Sequence, residues 1–508
     1  MSTTRRLISG TIASWAKIGV TLVTQIALVP IFLTHWNVKT YGIWIAIQAL
    51  VTVISTFDRG FVDYLGYKCL QIGPSGRREI GSIMVSGIKT IILFGLLQLV
   101  PIILFSLSPY MPYFLGEVID DQLINPDVGW ALVFQWFAWT FFSNTTGLLF
   151  RGLNVFGYYP RMGWWDAFIA VITSLVSVLI VATGGDLFLV SSGTAISIAI
   201  VNICRYVDIK FLIQKEQIPI GLGNLNGGIA SYLTSLRLSL RYFLENFRQQ
   251  GVRIVLAPLA GAASLAAFST IRTGANVTQQ GLLTITNPLL PELMRFLNHK
   301  DGEKMEASFA TVWLILVVIL SPAVIILQTF APPLFQIWTK GKIIYDPVLF
   351  AFLSFGVLVY ALSQPALAII VGNNMLKEQV AVSVVASIVL ALCLFTLVPY
   401  WGITGAGIGL FLSETIAAIK LIKYAKLWLN KNSMQWPVGA SVIATRSIAI
   451  SILSILSIIA LPGYQIIILI VSLVVSTWNI VQYWANLPKF AIARIKSVFM
   501  QIPLINKI

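Results

Sequence analysis

The chain has 508 residues, of which 57% are hydrophobic and only 10% charged, with a net charge of +15 and a mean hydropathy of +0.86. Soluble globular domains are about 45–50% apolar and about 25% charged, so the composition excludes an ordinary soluble enzyme or binding module and points to a large membrane helix bundle. Cys69, Cys204 and Cys393 are too few and too scattered for a disulfide framework or a zinc site, and His35 and His299 each stand alone.

Apolar runs of about 20 residues, enough to cross a bilayer, recur along the whole chain. The polar start MSTTRR is not followed by a short apolar core and a small-residue cleavage site, so 11–33 reads as a first retained span. Further spans are expected at 42–63, 80–108, 130–150, 163–183, 188–213, 235–260, 265–293, 308–332, 347–371, 379–400, 404–428, 440–461 and 464–486. The predicted fold class is therefore an all-α polytopic membrane protein of about 14 transmembrane helices. The runs are too long and too continuously apolar for the alternating strands of a β-barrel.

With a cytoplasmic N-terminus, Lys39, Lys340 and Lys342 fall outside and Lys89, Arg248, Arg253, Arg272 and Arg446 fall within helices. The rest of the 34 Lys and Arg gather at inner ends and loops. This positive-inside pattern predicts that both termini are cytoplasmic. It places the loop 109–129, with Glu117, Asp120, Asp121 and Asp127, on the outer side. Contact of the basic loops with anionic membrane lipids accounts for the net charge, with no nucleic acid needed.

The longest polar connection, about 214–234, contains IPIGLGNLNGG, where Pro219 and the glycines break helix before a new one starts near Ser231. It predicts an N-terminal six-helix lobe over 1–215, a cytoplasmic linker over 216–234, a C-terminal six-helix lobe over 235–432, and two additional helices with a tail over 433–508. TQIALVP at 24–30 and VRIVLAP at 252–258 share Ile, Leu and Pro at matched places. That is either chance between two apolar heptamers or the echo of an internal repeat. If the echo is real, Gln25 takes the place of Arg253, and Pro30 and Pro258 kink or end their helices.

An ionisable group at bilayer depth costs at least about 2.5–3.5 kcal/mol, so it usually faces a bundle interior or a polar cavity. Arg248, Arg253 and Arg272 are candidates for an anion seat. Arg248 and Arg253 are about 140° apart on an α-helix, and Glu245, three residues before Arg248, offers that arginine a structural partner. Arg253 and Arg272, on neighbouring antiparallel helices, converge more readily. Lys89 is deep enough for the same cavity, or snorkels to the interface. Asp58, Arg59 and Asp63 form a polar cluster at the inner end of the second span, read as a gate or as an interfacial network. The isolated carboxylates Asp166 and Glu414 are candidates for ion coupling, with structural pairing as the alternative.

The aromatic stretches WFAWTFF at 136–142 and YYPRMGWW at 158–165 fit an interfacial belt. Gln25, Trp136, Trp139, Asn144 and Thr145 are the candidates for lining a cavity. The stretch GITGAGIGLF at 402–411 fits close helix packing. No P-loop supports nucleotide hydrolysis; no cofactor or metal is expected, only coupling to H+ or Na+.

The run HWNVKTYGIWIAIQALVTVISTFDRGFVDYLGYK at 35–68 carries Tyr41, Gly42, Asp58 and Gly60, with Arg59 in place of an aliphatic residue. The run GVRIVLAPLAGAASLAAFSTIRTGANV at 251–277 carries Arg253, Gly261 and Arg272, and NPLLPELMRF follows at 287–296. Together they resemble the polysaccharide transporters of the multidrug/oligosaccharidyl-lipid/polysaccharide exporter superfamily. The resemblance implies two six-helix lobes around a central cavity that opens alternately inward and outward. It also implies an O-antigen or exopolysaccharide flippase of a bacterial or archaeal plasma membrane. Such a flippase carries polyprenyl-diphosphate-linked oligosaccharide to the outer leaflet and works beside polysaccharide polymerase machinery. Forked guanidinium groups suit a diphosphate. A secondary exporter of small organic ions or drugs is the alternative within the same fold. A membrane glycosyl transferase or polymerase is another, against which stands the lack of a large outer loop with an acid or nucleophile arrangement; a non-transporting membrane scaffold is the last.

Overall fold

In hydrocarbon, backbone N–H and C=O groups must find partners within the protein, and every regular element among the described residues is a helix. The computed structural model describes residues 3–116, 126–221, 223–286, 293, 296–297, 301–488 and 490–492. Glu117, Asp120 and Asp121 of the acidic loop lie outside these residues, as do most of NPLLPELMRF and the basic residues Arg295, Lys300, Lys489, Arg494, Lys496 and Lys507. The chain divides into two compact units, residues 1–269 and 270–508.

The first unit begins with α1 (Thr3–His35), α2 (Val38–Ile54), α3 (Thr56–Ile72), α4 (Arg77–Ser106) and the short α5 (Tyr110–Phe114). Next come α6 (Pro126–Ala138), a π turn (Trp139–Asn144) and α7 (Thr145–Leu153), which form one helical run. They are followed by α8 (Tyr159–Ala182), α9 (Leu187–Lys215) and α10 (Leu225–Asn246); a second π turn (Phe247–Gly251) leads into α11 (Val252–Ala260). The division between the units falls within α12 (Ala262–Thr286).

The starts of these helices have a local cause. Asn37 accepts from the Thr40 amide at 2.7 Å, Asp186 from Leu189 at 2.8 Å and Asn224 from Asn226 at 3.1 Å, each satisfying an amide that the helix leaves open. The cap at Asn224 starts α10 at Leu225 rather than near Ser231. The preceding stretch is held on α4, where the Asn224 amide donates to Ser86 Oγ at 2.8 Å. The expected span 42–63 is two helices meeting at Ser55. α1 packs on α8, α6 on α9, and α3 on α4, α7 and α10. The core of the unit is built on Phe61, Leu65, Met84, Leu148, Phe150 and Leu212. Because α10 lies against α3 and α4, the compact unit runs past the 216–234 linker.

The second unit continues with α13 (Gly302–Ile315), a third π turn (Leu316–Leu320), α14 (Ser321–Trp338), α15 (Pro347–Gly372), α16 (Leu376–Lys431), α17 (Val438–Ala460) and α18 (Gln465–Ala485). Asp346 caps α15, accepting from the Val348 and Leu349 amides at 2.9 Å. Trp313, Phe309 and Trp436 cluster in the core, and the buried Tyr483 hydroxyl donates to the Ala310 carbonyl at 2.7 Å.

A 56-residue straight helix would be ~84 Å long, but α16 breaks at Gly402 (φ 54°, ψ −136°). Its two arms fold back on one another. Ser413 Oγ donates to the Ala386 carbonyl at 2.8 Å, and a Cβ at Gly405 would meet the Leu397 carbonyl oxygen at 2.6 Å. The small residues of GITGAGIGLF thus serve the close packing expected of them. Gly402→Ala places a Cβ in a backbone region that costs about 1–3 kcal/mol for other residues. The purified variant should therefore melt several degrees lower than the parent; an unchanged Tm would mean that the break is not held in this conformation.

Nine helices among the described residues are long and apolar enough to cross a membrane, ten if the bent pair Val38–Ile54 and Asp58–Ile72 counts as one span. The chain is an all-α, multi-pass membrane protein.

Candidate functional site

One set of buried polar groups in the first unit is built around α3. Asp58, in its first turn, is 4% exposed. Gln98 Nε2 of α4 donates to Asp58 Oδ1 at 3.4 Å, and Asn144 Nδ2, at the end of the first π turn, donates to Oδ2 at 3.2 Å. The seam continues through Thr146, whose hydroxyl donates to Asn202 Oδ1 of α9 at 2.7 Å, and Asn202 Nδ2 donates to Ser143 Oγ at 3.3 Å. One and a half turns along α3, Asp63 takes an ion pair from Arg151 of α7 at 2.6 Å and a hydrogen bond from the Tyr242 hydroxyl of α10 at 3.0 Å.

Asp58, Arg59 and Asp63, grouped together in sequence, therefore part company in space. Successive helical residues point about 100° apart, so Asp58 turns to α4 and the π turn while Asp63 turns to α7 and α10. Arg59 is exposed, with its guanidinium 5.7 Å from the Tyr242 ring centroid. α3 and α10 are further tied by Asn246 Nδ2, which donates to Thr56 Oγ1 at 2.9 Å. They approach so closely at Gly60 that a Cβ there would run into Ser239.

Arg248 lies in the second π turn and Arg253 in the first turn of α11, both half-buried. The i→i+5 pattern of a π turn brings residues five apart closer in angle than the α-helical value expected from sequence. Arg253 Nη1 donates to Gln250 Oε1 at 2.8 Å, whereas its buried Nε has no hydrogen-bond partner among the described residues. Tyr41 of α2 lies in its electrostatic surroundings. Arg272, half-buried, lies on α12 past Ser269 and belongs to the second unit, while Arg253 belongs to the first. Lys89 is exposed on α4.

Asp166 of α8 sits between two cations, with Arg205 Nη2 at 3.2 Å and Lys17 Nζ at 3.7 Å. Arg205 is buried over the Phe150 ring. Glu414 is half-buried in the second arm of α16. Of the expected cavity residues, Gln25 and Thr145 are half-buried, and Trp139 is 39% exposed. Trp136 is fully buried and packed edge-on against Phe141, so it belongs to the core, whereas Asn144 joins Asp58. Among the described residues no three His, Cys, Asp or Glu come together as a metal site.

Gln98, Asn202, Arg151, Tyr242 and Asn246 enter the site without having been singled out from sequence. The signal available for two of them was an amide inside an apolar span, Gln98 in LFGLLQLVP and Asn202 in IAIVNIC.

No protein-family model matches the sequence, and no curated protein sequence matches it. Solved structures do. An inward-facing multidrug resistance MATE family transporter of the MOP superfamily is similar with a TM-score of 0.63 at 11% identity, over 82% of this chain and 98% of that one. The lipid II flippase MurJ, in an inward closed conformation, is similar with a TM-score of 0.62 at 13% identity, over 92% and 98%. A variant of the Vibrio cholerae MATE transporter VcmN is similar with a TM-score of 0.54 at 16% identity, over 84% and 98%. The chain has the fold of the MATE and MurJ membrane transporters.

Proposed function

We propose that the chain is a secondary transporter that moves a negatively charged cargo across the plasma membrane by alternating access. The observation that carries this reading is Arg253, a guanidinium in an apolar helical run. It has one neutral amide partner and a buried Nε with none among the described residues. Such a group favours an anion that can use its free donor edge. In this reading Arg248, Arg272 and Lys89 add positive charge along the path, and Arg59 and Asp63 act at a gate with Tyr242. A proton or sodium gradient supplies the energy, with Glu414 among the coupling groups.

In this reading the chain crosses fourteen times, with α2–α3, α6–α7, α10–α11 and α13–α14 each crossing once and α16 twice, and the basic residues at the inner ends make the side that holds both termini the cytoplasmic one. Six-helix lobes over 1–215 and 235–432 are part of the same reading.

Export of a small organic ion or drug is the form favoured by the number of MATE structures among the similar folds, and Arg253 is what narrows that cargo to an anion in this reading. Flipping of a polyprenyl-diphosphate-linked oligosaccharide is the second form. It is favoured by the likeness to the lipid II flippase over 92% of the chain and by the sequence resemblance around Tyr41, Gly42, Arg253 and Arg272. The test is the purified full chain in sealed vesicles, assayed with a fluorescent sulfonated dye and with a fluorescent polyprenyl-diphosphate oligosaccharide under imposed proton and sodium gradients. Movement of the dye alone supports export, and movement of the lipid alone supports flipping. Movement of neither, with folded protein in the vesicles, rejects an anionic cargo of both kinds.

A further inference from the structure

We propose that Arg446, with Asn479, Gln482 and Trp478, binds the phosphate of an anionic membrane phospholipid on the exposed side of the α17–α18 pair, whichever cargo the chain transports. Three arginines of the first unit are each matched by a carboxylate, Arg151 by Asp63, Arg161 by Asp208 and Arg205 by Asp166. Arg446 of α17 is not. α17 and α18 contain no Asp or Glu. Nε donates to Asn479 Oδ1 of α18 at 2.6 Å, Nη2 donates to Gln482 Oε1, and the guanidinium lies 5.0 Å from the Trp478 ring centroid. These are its partners among the described residues. Neutral acceptors and a ring orient the charge without cancelling it.

The orientation is fixed from beneath. Asn479 is fully buried, and its Nδ2 donates to Ser447 Oγ at 2.6 Å and to the Ile443 carbonyl at 3.4 Å. Those bonds commit the amide nitrogen and leave the oxygen to the arginine. Nη1 has no partner among the described residues, so the fork that suits a phosphate is held in place with one prong unused. Arg446 lies ~12 Å along the axis from Val438, at 1.5 Å per residue, and its Cα–Cβ bond tilts toward that end of α17. Gln482, in the last turn of the antiparallel α18, receives it there.

Location and charge choose the ligand. Both helices are long and apolar enough to cross a membrane, and Val442, Thr445, Trp478 and Val481 around the arginine are exposed. A charge on such a surface is expensive unless something compensates it. A phospholipid brings its phosphate attached to chains that stay in hydrocarbon, which a dissolved anion does not. Lys423, Lys426 and Lys431 are exposed in the last three turns of α16, just ahead of α17 in the chain, and a cluster of this kind favours anionic over zwitterionic lipid. Trp478 adds a ring of the type that settles at head-group depth. A second copy of the chain fits the face poorly. In an isologous contact each Arg446 would approach its own counterpart, with no acid on either helix to separate them.

The experiment uses the purified full chain in a neutral detergent, titrated with phosphatidylglycerol or with phosphatidylcholine. Bound lipid is counted by native mass spectrometry and Tm is followed in parallel. Phosphatidylglycerol should be retained at a concentration about tenfold or more below that needed for phosphatidylcholine, and should raise Tm further. Arg446→Gln, which keeps an amide and removes the charge, should abolish both differences. If that variant does not fold, Arg446→Lys serves: it keeps the charge, loses the fork, and should weaken retention of phosphatidylglycerol by a smaller factor. Glycerol phosphate, the same head group without chains, should not displace the lipid. Equal retention of the two lipids by the parent, or unchanged preference in the folded variants, overturns the proposal. So does a variant that loses the same Tm in both lipids, since that is the mark of a helix clamp alone. Displacement by glycerol phosphate would make the ligand a soluble anion, and a dimer that dissociates in Arg446→Gln without any change in lipid binding would give the face to a second copy; either result rejects the lipid site.

Discussion

Replacing Arg253 by alanine is expected to lower the initial rate of anion movement into sealed vesicles by about tenfold or more, with the yield and Tm of the purified protein unchanged. A hydrogen bond to a charged group contributes about 1.5–3 kcal/mol, and every 1.4 kcal/mol or so is a factor of ten. The loss should appear at low cargo concentration if Arg253 helps to dehydrate the anion on entry. Folding should not suffer. Among the described residues the side chain has one hydrogen bond, to Gln250, and Nε has no partner, so truncation removes a poorly satisfied charge as well as a contact. Arg253→Lys keeps the charge without the planar fork and should recover only part of the rate. A folded Arg253→Ala protein that transports at the parent rate would remove this guanidinium from the pathway.

Gly60→Val should lower the Tm of the purified protein by several degrees and abolish transport. A Cβ at residue 60 would lie 2.6 Å from Ser239 Cα and 2.7 Å from its backbone nitrogen. Backbone atoms inside a helix cannot swing aside as a side chain does, so α3 and α10 must separate. Overpacking of this kind costs about 1–3 kcal/mol. The separation also pulls on the Tyr242–Asp63 and Asn246–Thr56 bonds, because Thr56, Gly60 and Asp63 share one face of α3 and Ser239, Tyr242 and Asn246 one face of α10. Parallel thermal melts of Gly60→Val and of Gly147→Val, where a Cβ would meet nothing within 4 Å, check the effect. Equal melts for the two would mean that the helices do not touch at Gly60.

Much of the fold is legible in the sequence because hydropathy is a local property. Each apolar run announces its own helix, and the small residues after Gly402 announce a close helix pair. Partnership is not local in that way. Asp58, Arg59 and Asp63 read as one cluster because they are neighbours in the chain, yet the amides that hold Asp58 are 40 and 86 residues away. The helical angle between neighbours sends Asp63 to a different wall. Trp136 reads as a cavity or belt residue from its aromatic company, yet it is fully buried, with its ring edge-on to Phe141. The π turns leave no signature in composition, so the relative angle of Arg248 and Arg253 could not be read from their spacing. Asn37, Asp186 and Asp346, by contrast, are capping residues of the ordinary kind placed just ahead of apolar runs.

The π turn over Phe247–Gly251 is, in effect, a helix carrying one residue more than its length requires. Such a surplus can travel. If it shifted by one turn toward the C-terminus, the residues it passed would each rotate by about 100° about the helix axis, while the ends of the run stayed where they are packed. Arg253 is among the first residues on that route. Such a shift would turn the Arg253 guanidinium about the helix axis by exchanging ladder hydrogen bonds one at a time, without the helix moving as a rigid rod.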